Sequence, residues 1–173
     1  MSSESSAHST TASSPQATHA SVHASTHTTT PLSAPAVELP TDKELVLKVI
    51  PMPADCNANG DIFGGWVMAQ VDLAGSVVPA RYVDGRMATV AVNQFIFKQP
   101  VRVGDILSFF AEVTRIGTTS ITVQVEVYAE RFRSQKRYVK VTEASLTYVA
   151  IDDFGKPRKI EKAPPVPVIQ DTM

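Results

Sequence analysis

The folded part of this sequence has no histidine. All four histidines lie within the first 27 residues, in a segment dominated by Ser, Thr, Ala and Pro. Catalytic groups of the Ser-His-Asp or Cys-His type and His-ligated zinc sites therefore cannot be built inside a domain that begins after this segment. The histidines could hold a metal ion within the segment itself, but a solvated low-complexity tail is the simpler interpretation.

Cysteine is scarce as well, and lysine and arginine are absent from the first 42 positions. The single cysteine, Cys56, excludes an intrachain disulfide and suits a reducing compartment. Without a histidine partner we interpret it as a loop residue. The first basic side chain is Lys43, so the sequence starts without the charged region of a secretory signal or the arginines of a transit peptide. We therefore expect a cytoplasmic protein.

Long apolar runs and blocks of one charge are also lacking. The most apolar stretch, Trp66 to Val78, has thirteen residues, whereas a helix needs about 20 to span a bilayer. The net charge is −1, so the overall electrostatics do not favour nucleic-acid binding. We expect no membrane insertion, no nucleic-acid partner and no metal site.

What is present fits one globular domain. The chain has 173 residues and a hydrophobic content of 43%, enough for a single core. Residues 1–40 show no apolar period and are predicted to be a disordered tail that can be removed without loss. The domain itself is predicted over residues 41–162, and a proline-rich tail over residues 163–173.

Within the domain, the hydrophobic pattern predicts one early helix and five strands. The helix is Trp66–Val78, and the strands are Glu44–Met52, Ala88–Lys98, Ile106–Ile116, Ser120–Ala129 and Arg137–Ile151. Short connections between strands indicate an antiparallel sheet. The helix is apolar nearly all round, so we expect it to be buried on most sides. The sequence therefore predicts an α+β protein with the hotdog fold, an antiparallel five-stranded sheet wrapped around one central helix.

In one predicted strand, Ala88–Lys98, the apolar residues change from one face of the strand to the other. Val90 and Val92 fall in one register, whereas Phe95 and Phe97 fall in the other. Because side chains alternate strictly along a strand, this slip predicts a bulge near Asn93. Bulges occur preferentially next to functional sites, so Asn93 is a candidate pocket residue.

Four blocks of sequence resemble one known family. They are Asn57–Trp66 (NANGDIFGGW, followed by a helix with Met-Ala-Gln-Val-Asp), residues 97–105 (FKQPVRVGD), residues 117–120 (GTTS), and a closing stretch with TEA at 142–144 and GKPR at 155–158. In order and spacing they resemble the hotdog-fold acyl-CoA thioesterases of the YciA type over about residues 44–160. Many relatives have a histidine before the glycine pair where this chain has Phe63, and the YciA-type members share the phenylalanine.

The resemblance implies hydrolysis of the acyl-CoA thioester to a free acid and CoA. It also implies a dimer or a hexamer built from three dimers, with active sites between subunits. No cofactor is expected, since CoA is part of the substrate and the product. By similarity, Asp61 is the catalytic carboxylate, as general base or nucleophile. The backbone of Gly64 and Gly65 offers N–H groups for the oxyanion at a helix N-terminus.

Each candidate residue has a simpler interpretation. Asp61 could merely cap the helix. Asn57 and Asn59 could shape the loop through backbone hydrogen bonds, although either could orient a water. Asp72, inside the helix, is more simply a satisfied polar group or an interface contact than a catalytic residue. Cys56 is not part of the motif and is given no role.

Binding of CoA is expected to use hydroxyls, backbone N–H groups and positive charge. The candidates are Asn93, Lys98, Gly117, Thr118, Thr119, Ser120 and Arg137. The family places CoA against the 117–120 hairpin, although an ordinary polar turn has the same composition. A basic cluster of Arg131, Arg133, Lys136 and Arg137 could meet the CoA phosphates or be a solvated turn.

Two other functions are compatible with the same fold. Hydratases of acyl thioesters resemble histidine-dependent enzymes, which the histidine-free domain disfavours. A non-catalytic acyl-CoA-sensing module would need a fused effector segment, and the N-terminal tail shows no helix-turn-helix pattern. Hydrolysis of acyl-CoA is therefore the leading hypothesis from the sequence.

Overall fold

The computed structural model describes residues 37–131 and 137–161. The elements in this part of the chain are β1 (Glu44–Val49), a 3-10 turn (Pro53–Asp55), α1 (Gly64–Val77), a second 3-10 turn (Pro79–Arg81), β2 (Met87–Phe97), β3 (Ile106–Ile116), β4 (Ser120–Glu130) and β5 (Tyr138–Ala150). The predicted strands and helix are confirmed, with ends that differ by up to three residues. Most of the predicted tail at 1–40, the tail at 163–173, Arg133 and Lys136 lie outside the described residues.

The five strands form one antiparallel sheet in the order β1-β3-β4-β5-β2. The helix α1 crosses one face of this sheet, and its buried residues are Val67, Val71, Ala74 and Gly75. They pack into a core with the inward side chains of the central strands, among them Phe109, Val125 and Leu146. Sheet and helix together confirm the predicted hotdog arrangement.

The helix is less enclosed than its composition suggested. Met68 is 41% exposed and Leu73 is 60% exposed, so the expectation of burial on most sides is wrong for the single chain. The physical reason is that one sheet covers only one face of the helix. Further exposed apolar side chains are Phe63, Val90, Val92 and Phe97. A single chain thus leaves apolar surface uncovered.

The slip in β2 is real and occurs twice. The pairing of β2 with β5 shifts between Thr89 and Ala91, and again between Val92 and Gln94. The second shift leaves Asn93 as the extra residue, which confirms the bulge predicted there. The bulges allow Phe95 to pack against the core although Val92 belongs to the opposite apolar phase.

The chain contacts the sheet before β1 begins. The backbone N–H of Val37 donates to the carbonyl of Tyr138 at 3.0 Å. The last four residues of the predicted tail, 37–40, therefore include a residue bonded to β5. At the other end, the N–H of Ile160 donates to the carbonyl of Thr118 at 2.9 Å, which holds the closing segment against the β3–β4 hairpin.

Candidate active site

The loop before α1 is shaped by Asn57. Its side-chain oxygen accepts the backbone N–H of Asn59 at 2.8 Å and that of Asp61 at 3.3 Å. Its own N–H donates to the Asp61 carbonyl at 2.7 Å. Gly60 has a φ of 82°, a conformation that side-chain-bearing residues rarely adopt. Asn57 thus shapes the loop, as the simpler interpretation held, and the loop presents Asp61.

Asp61 lies at the edge of the domain, where its backbone pairs with Arg102 in an isolated bridge. Its side chain is half-buried. The residue that caps α1 is Phe63, and no side chain caps the first turn. The alternative in which Asp61 caps the helix is therefore wrong. In the described ranges, no side-chain hydrogen bond fixes the Asp61 carboxylate, and its catalytic role stays a prediction.

The glycine pair opens α1 and the two glycines differ. A Cβ on Gly64 would lie 3.0 Å from the Phe97 ring, so packing accounts for this glycine. A Cβ on Gly65 would meet no atom within 4 Å, and Gly65 is exposed. The first backbone bond of the helix runs from Val67 N–H to the Phe63 carbonyl at 3.2 Å. The N–H groups before Val67 are thus left over from the helix's own bonding, which suits the predicted oxyanion role of Gly65.

Asp72 is held far more firmly than Asp61. The hydroxyl of Thr89 on β2 donates to Asp72 Oδ1 at 2.7 Å. The hydroxyl of Tyr148 on β5 lies 2.9 Å from the Asp72 carbonyl and 3.3 Å from Oδ1. Burial, with the charge and the hydrogen bond of Asp72, raises the pKa of Tyr148 above its ordinary value, so the phenol stays a donor. Asp72 is a satisfied polar group, as expected.

The sequence did not point to Thr89 or Tyr148. Thr89 is 17 residues from Asp72, and Tyr148 is 76 residues away. Each belongs to a strand in which a threonine or a tyrosine is unremarkable. Only the packing of β2 and β5 against the helix brings them to one carboxylate.

The predicted catalytic loop and the predicted CoA-binding hairpin lie at opposite ends of β3. Asp61 pairs with Arg102, just before β3, whereas the hairpin of Gly117, Thr118 and Thr119 follows the other end of that strand. An eleven-residue strand is roughly 35 Å long. Within one chain, the structure therefore does not bring the predicted catalytic loop and the predicted CoA hairpin together.

Hydrogen bonds stabilise the hairpin backbone. Gly117 N–H donates to the Ser120 carbonyl at 2.8 Å, and the carbonyl of Thr119 accepts from Ala150 at 2.9 Å. Asn93, on the β2 bulge, donates through Nδ2 to the Thr147 hydroxyl at 2.8 Å. The hairpin is thus a fixed feature of the sheet end, and Asn93 already has a partner within the chain.

The basic candidates differ in what they already bind. Arg131 pairs with the carboxylate of Asp105 and also donates to Gln99 and Pro100. Its guanidinium is engaged in the structure of the domain. Lys98 pairs with Glu143 at 2.9 Å. Arg137 is exposed, so it is the best placed of the three to meet a phosphate.

Within the described ranges, no cluster of three or more His, Cys, Asp or Glu residues could hold a metal ion. None of the helices described there is long and apolar enough to cross a membrane.

The chain matches the thioesterase superfamily over residues 59–134. It is 47% identical over 120 residues to the acyl-CoA thioester hydrolase YciA of Salmonella typhimurium strain LT2, and 45% identical to the protein of the same name from Escherichia coli K12. Each alignment covers 68% of this chain and 90% of the relative.

Solved structures similar to this chain are also thioesterases. The hexameric thioesterase of Yersinia pestis is 45% identical, with a TM-score of 0.67 and coverage of 72% of this chain and 100% of that one. A hexameric broad-specificity acyl-coenzyme A thioesterase is 36% identical, with a TM-score of 0.67 and coverage of 73% and 87%. A further structure of that enzyme carries an aspartate-to-alanine substitution.

A single helix on a five-stranded antiparallel sheet is the hotdog fold, and the chain belongs to the thioesterase superfamily. The resemblance to its YciA-type members, first seen in four sequence blocks, is confirmed by these identities.

Proposed function

We propose that this protein hydrolyses acyl-CoA thioesters to a free carboxylic acid and CoA. The observation that carries the proposal is the identity of 45–47% to proteins named acyl-CoA thioester hydrolase, across nine-tenths of their length. The site supports it, because thioester hydrolysis needs a carboxylate and oxyanion donors but no histidine. A cytoplasmic location stays a prediction.

We propose Asp72 as the carboxylate that acts on the thioester, and we keep Asp61 as the alternative favoured by the sequence motif. A carboxylate on a helix, oriented by two hydroxyl donors, is held in one geometry. The Asp61 carboxylate lies on a loop. As a base, Asp72 takes a proton from water while the water oxygen attacks the carbonyl carbon. The C–S bond then breaks, and the proton passes to the departing CoA thiolate. As a nucleophile, the Asp72 carboxylate would instead attack the carbonyl carbon, break the C–S bond and release the CoA thiolate to form a mixed anhydride. Water then hydrolyses the anhydride to the free acid and restores the carboxylate.

The distance between Asp72 and Gly65 supports a site shared by two chains. They are seven residues apart on α1, which corresponds to about 10 Å along the axis. A thioester carbonyl whose oxygen accepts from the Gly65 N–H would lie too far from the Asp72 carboxylate of the same helix for direct attack. We propose that the two groups come from different subunits, with Gly65 supplying the oxyanion donor.

The uncovered apolar surface supports the same assembly. Met68 and Leu73 lie exposed on the helix, and Val90 and Val92 on the neighbouring edge strand β2. A second copy could cover this surface and pair with the edge. The structural relatives are described as hexameric, so we propose a homo-oligomer, as a trimer of dimers. Monomers in multi-angle light scattering at micromolar concentration would contradict this assembly.

We propose that the CoA moiety binds through the 117–120 hairpin, Asn93, Lys98 and Arg137. A shared site would also account for the separation of hairpin and catalytic loop within one chain, since a partner's hairpin could complete the site. Arg137 is exposed and can therefore contact a CoA phosphate. Such a contact would be equally strong in the bound substrate and in the transition state. Arg137→Ala should therefore raise KM more than it lowers kcat, and raised ionic strength should weaken binding. An unchanged KM would assign Arg137 to the solvated surface.

The test of the function is turnover of a panel of acyl-CoA substrates, followed with a thiol-detecting dye. Asp61→Asn and Asp72→Asn are measured side by side. The residue that acts on the thioester should lose a factor on the order of 10² to 10⁴ in kcat, with little change in KM. If only Asp61→Asn shows this loss, the sequence-based assignment is right and Asp72 is structural. No turnover of any acyl-CoA by the wild type, despite binding, would favour the sensing module.

A further inference from the structure

Tyr148 reaches Asp72 from beneath the helix. Its side chain is 2% exposed, and its hydroxyl lies 2.9 Å from the Asp72 carbonyl and 3.3 Å from Oδ1. A buried phenol normally needs one acceptor. Here the acceptor is the residue that the proposed function assigns to chemistry, which makes Tyr148 more than a core aromatic.

A glycine makes this approach possible. A Cβ at Gly75 would lie 2.5 Å from the Tyr148 hydroxyl and 3.3 Å from Val125 Cγ2. Gly75 lies inside α1 and is not among the glycines with positive φ, so its backbone does not require glycine. A glycine within a helix is less favourable than an alanine. The close approach of the Tyr148 hydroxyl, and not the helix backbone, therefore accounts for glycine at this position.

The two hydroxyl donors leave the carboxylate asymmetric. Thr89 donates to Oδ1 at 2.7 Å, and Tyr148 shares its one hydroxyl proton between the Asp72 carbonyl at 2.9 Å and Oδ1 at 3.3 Å. In the described part of the chain no side chain donates to Oδ2. A carboxylate held through one oxygen keeps its other oxygen available to accept from a water or to attack a thioester carbonyl carbon. The donors come from two adjacent strands, Thr89 on β2 and Tyr148 on β5, and the two residues are paired directly in the sheet.

We propose that Tyr148 is a positioning residue for the Asp72 carboxylate, and that Gly75 is the opening in the helix that admits its hydroxyl. This inference rests on the proposed function. It assigns no contact between Tyr148 and the substrate. Its role is to fix the rotamer of Asp72 and to stabilise the ionised carboxylate, so that Oδ2 stays aimed at the reacting group.

The first test is Tyr148→Phe, which removes the hydroxyl and keeps the ring. Because a hydrogen bond to a charged group is stronger than one between neutral groups, this variant should lose about tenfold to a hundredfold in kcat. Loss of a donor to the ionised carboxylate should also move the acidic limb of the kcat profile to higher pH. Tyr128→Phe is the matched control. That tyrosine is also buried and donates to a carboxylate, Glu126, but on the other face of the sheet.

The second test is a double-mutant cycle with Gly75→Ala. The added methyl should displace the Tyr148 hydroxyl and lower kcat about as much as Tyr148→Phe does. In the Tyr148→Phe background, the clash with the hydroxyl is gone, so Gly75→Ala should lower kcat much less. Strong non-additivity is therefore expected. If Gly75→Ala does not fold, Tyr148→Phe still decides the matter by itself.

Unchanged kcat and an unchanged pH profile for Tyr148→Phe would overturn the inference, as would a loss equal to that of Tyr128→Phe. Failure of the inference is distinguishable from failure of the proposed function. If Asp72→Asn abolishes turnover and Tyr148→Phe does not affect it, only the positioning role falls. If Asp72→Asn keeps full turnover, the assignment of Asp72 falls first.

Discussion

Two tyrosine–carboxylate pairs lie on opposite faces of the same sheet. On the helix side, Tyr148 and Thr89 hold Asp72. On the other side, Tyr128 donates to Glu126 at 2.7 Å. Burial and the neighbouring carboxylate raise the pKa of both phenols. The tyrosines therefore play the same part in each pair, and the difference lies around the carboxylates.

The carboxylate on the outer face of the sheet, Glu126, is paired with lysines, whereas the one on the helix side, Asp72, is not paired with a cation among the described residues. Glu126 pairs with Lys43 and Lys140, each at 2.9 Å. Burial alone would raise the pKa of Glu126, but hydrogen bonds from both lysines and Tyr128 outweigh it and hold the pKa at about 2. Across the described residues, no lysine or arginine forms an ion pair with Asp72. Glu126 is used to join strands through its two lysines, whereas the lack of a cationic partner at Asp72 in the described residues fits the catalytic role proposed for it.

The largest effect expected on stability follows from removing the outer charge. Glu126→Gln leaves Lys43 and Lys140 without their shared carboxylate, so the free energy of unfolding should fall by about 1–3 kcal/mol. Because Glu126 is on the face away from α1, kcat should stay within about twofold of wild type. Urea unfolding and turnover of one preparation measure both. A large loss of kcat with unchanged stability would erase the distinction between the two pairs.

The same pair predicts how stability depends on pH. Since the pKa of Glu126 is lowered in the folded state, its contribution is complete above the ordinary glutamate pKa of 4.5 and is lost as pH falls from there towards about 2. The loss should be about 1–2 kcal/mol once solvent screening is allowed for. Urea midpoints measured between pH 6 and pH 3 should fall less for Glu126→Gln than for wild type. Parallel curves would show that other groups control acid unfolding.

A smaller effect is expected at Thr142, on the helix side. This residue is fully buried on β5, and its hydroxyl oxygen has no hydrogen-bond partner within the described chain. Thr142→Val keeps the shape and removes the unsatisfied group, so the protein should become more stable by about 1 kcal/mol. Thr122→Val, on the outer face of β4, should change little. A less stable Thr142→Val variant would mean that the hydroxyl is satisfied.

The smallest effects are expected at the N-terminus. Removing residues 1–36 should leave melting temperature and turnover nearly unchanged, as the sequence predicts for the tail. Removing residues 1–42 also deletes the bond from Val37 to Tyr138, and should lower the free energy of unfolding by about 0.5–1.5 kcal/mol. Thermal melts of both truncated forms compare the two. A loss of several degrees for the shorter truncation would show that the tail stabilises the domain.

Much of this molecule was predictable from local pattern. The alternation of Ile121, Val123, Val125 and Val127 placed β4, and those side chains are indeed in the core. The clash of apolar phases at Asn93 predicted a bulge that the β2–β5 register contains. Both inferences use only neighbours along the chain, which is why they succeeded.

The candidate site was predictable only in part. The motif located the loop of Asp61 and the glycine pair, and it included Asp72 without explaining it. The exposed face of α1 was missed because an apolar composition does not tell a face covered by the sheet from one left for a second copy. The distance between the 117–120 hairpin and the loop of Asp61 could not be read from the sequence, because it depends on the pairing of Asp61 with Arg102 at the opposite end of β3.

By itself, the sequence determined the order and type of the elements, the family, and the exclusion of histidine chemistry from the domain. Periodicity and motif spacing are local properties, and a single chain displays them without folding. Only the tertiary structure decided that Thr89 and Tyr148 meet one oxygen of Asp72, and that Gly75 leaves the room for it. Those contacts join residues up to 76 positions apart. They depend on the register of β2 and β5 and on the packing of the helix against them, which no local pattern specifies.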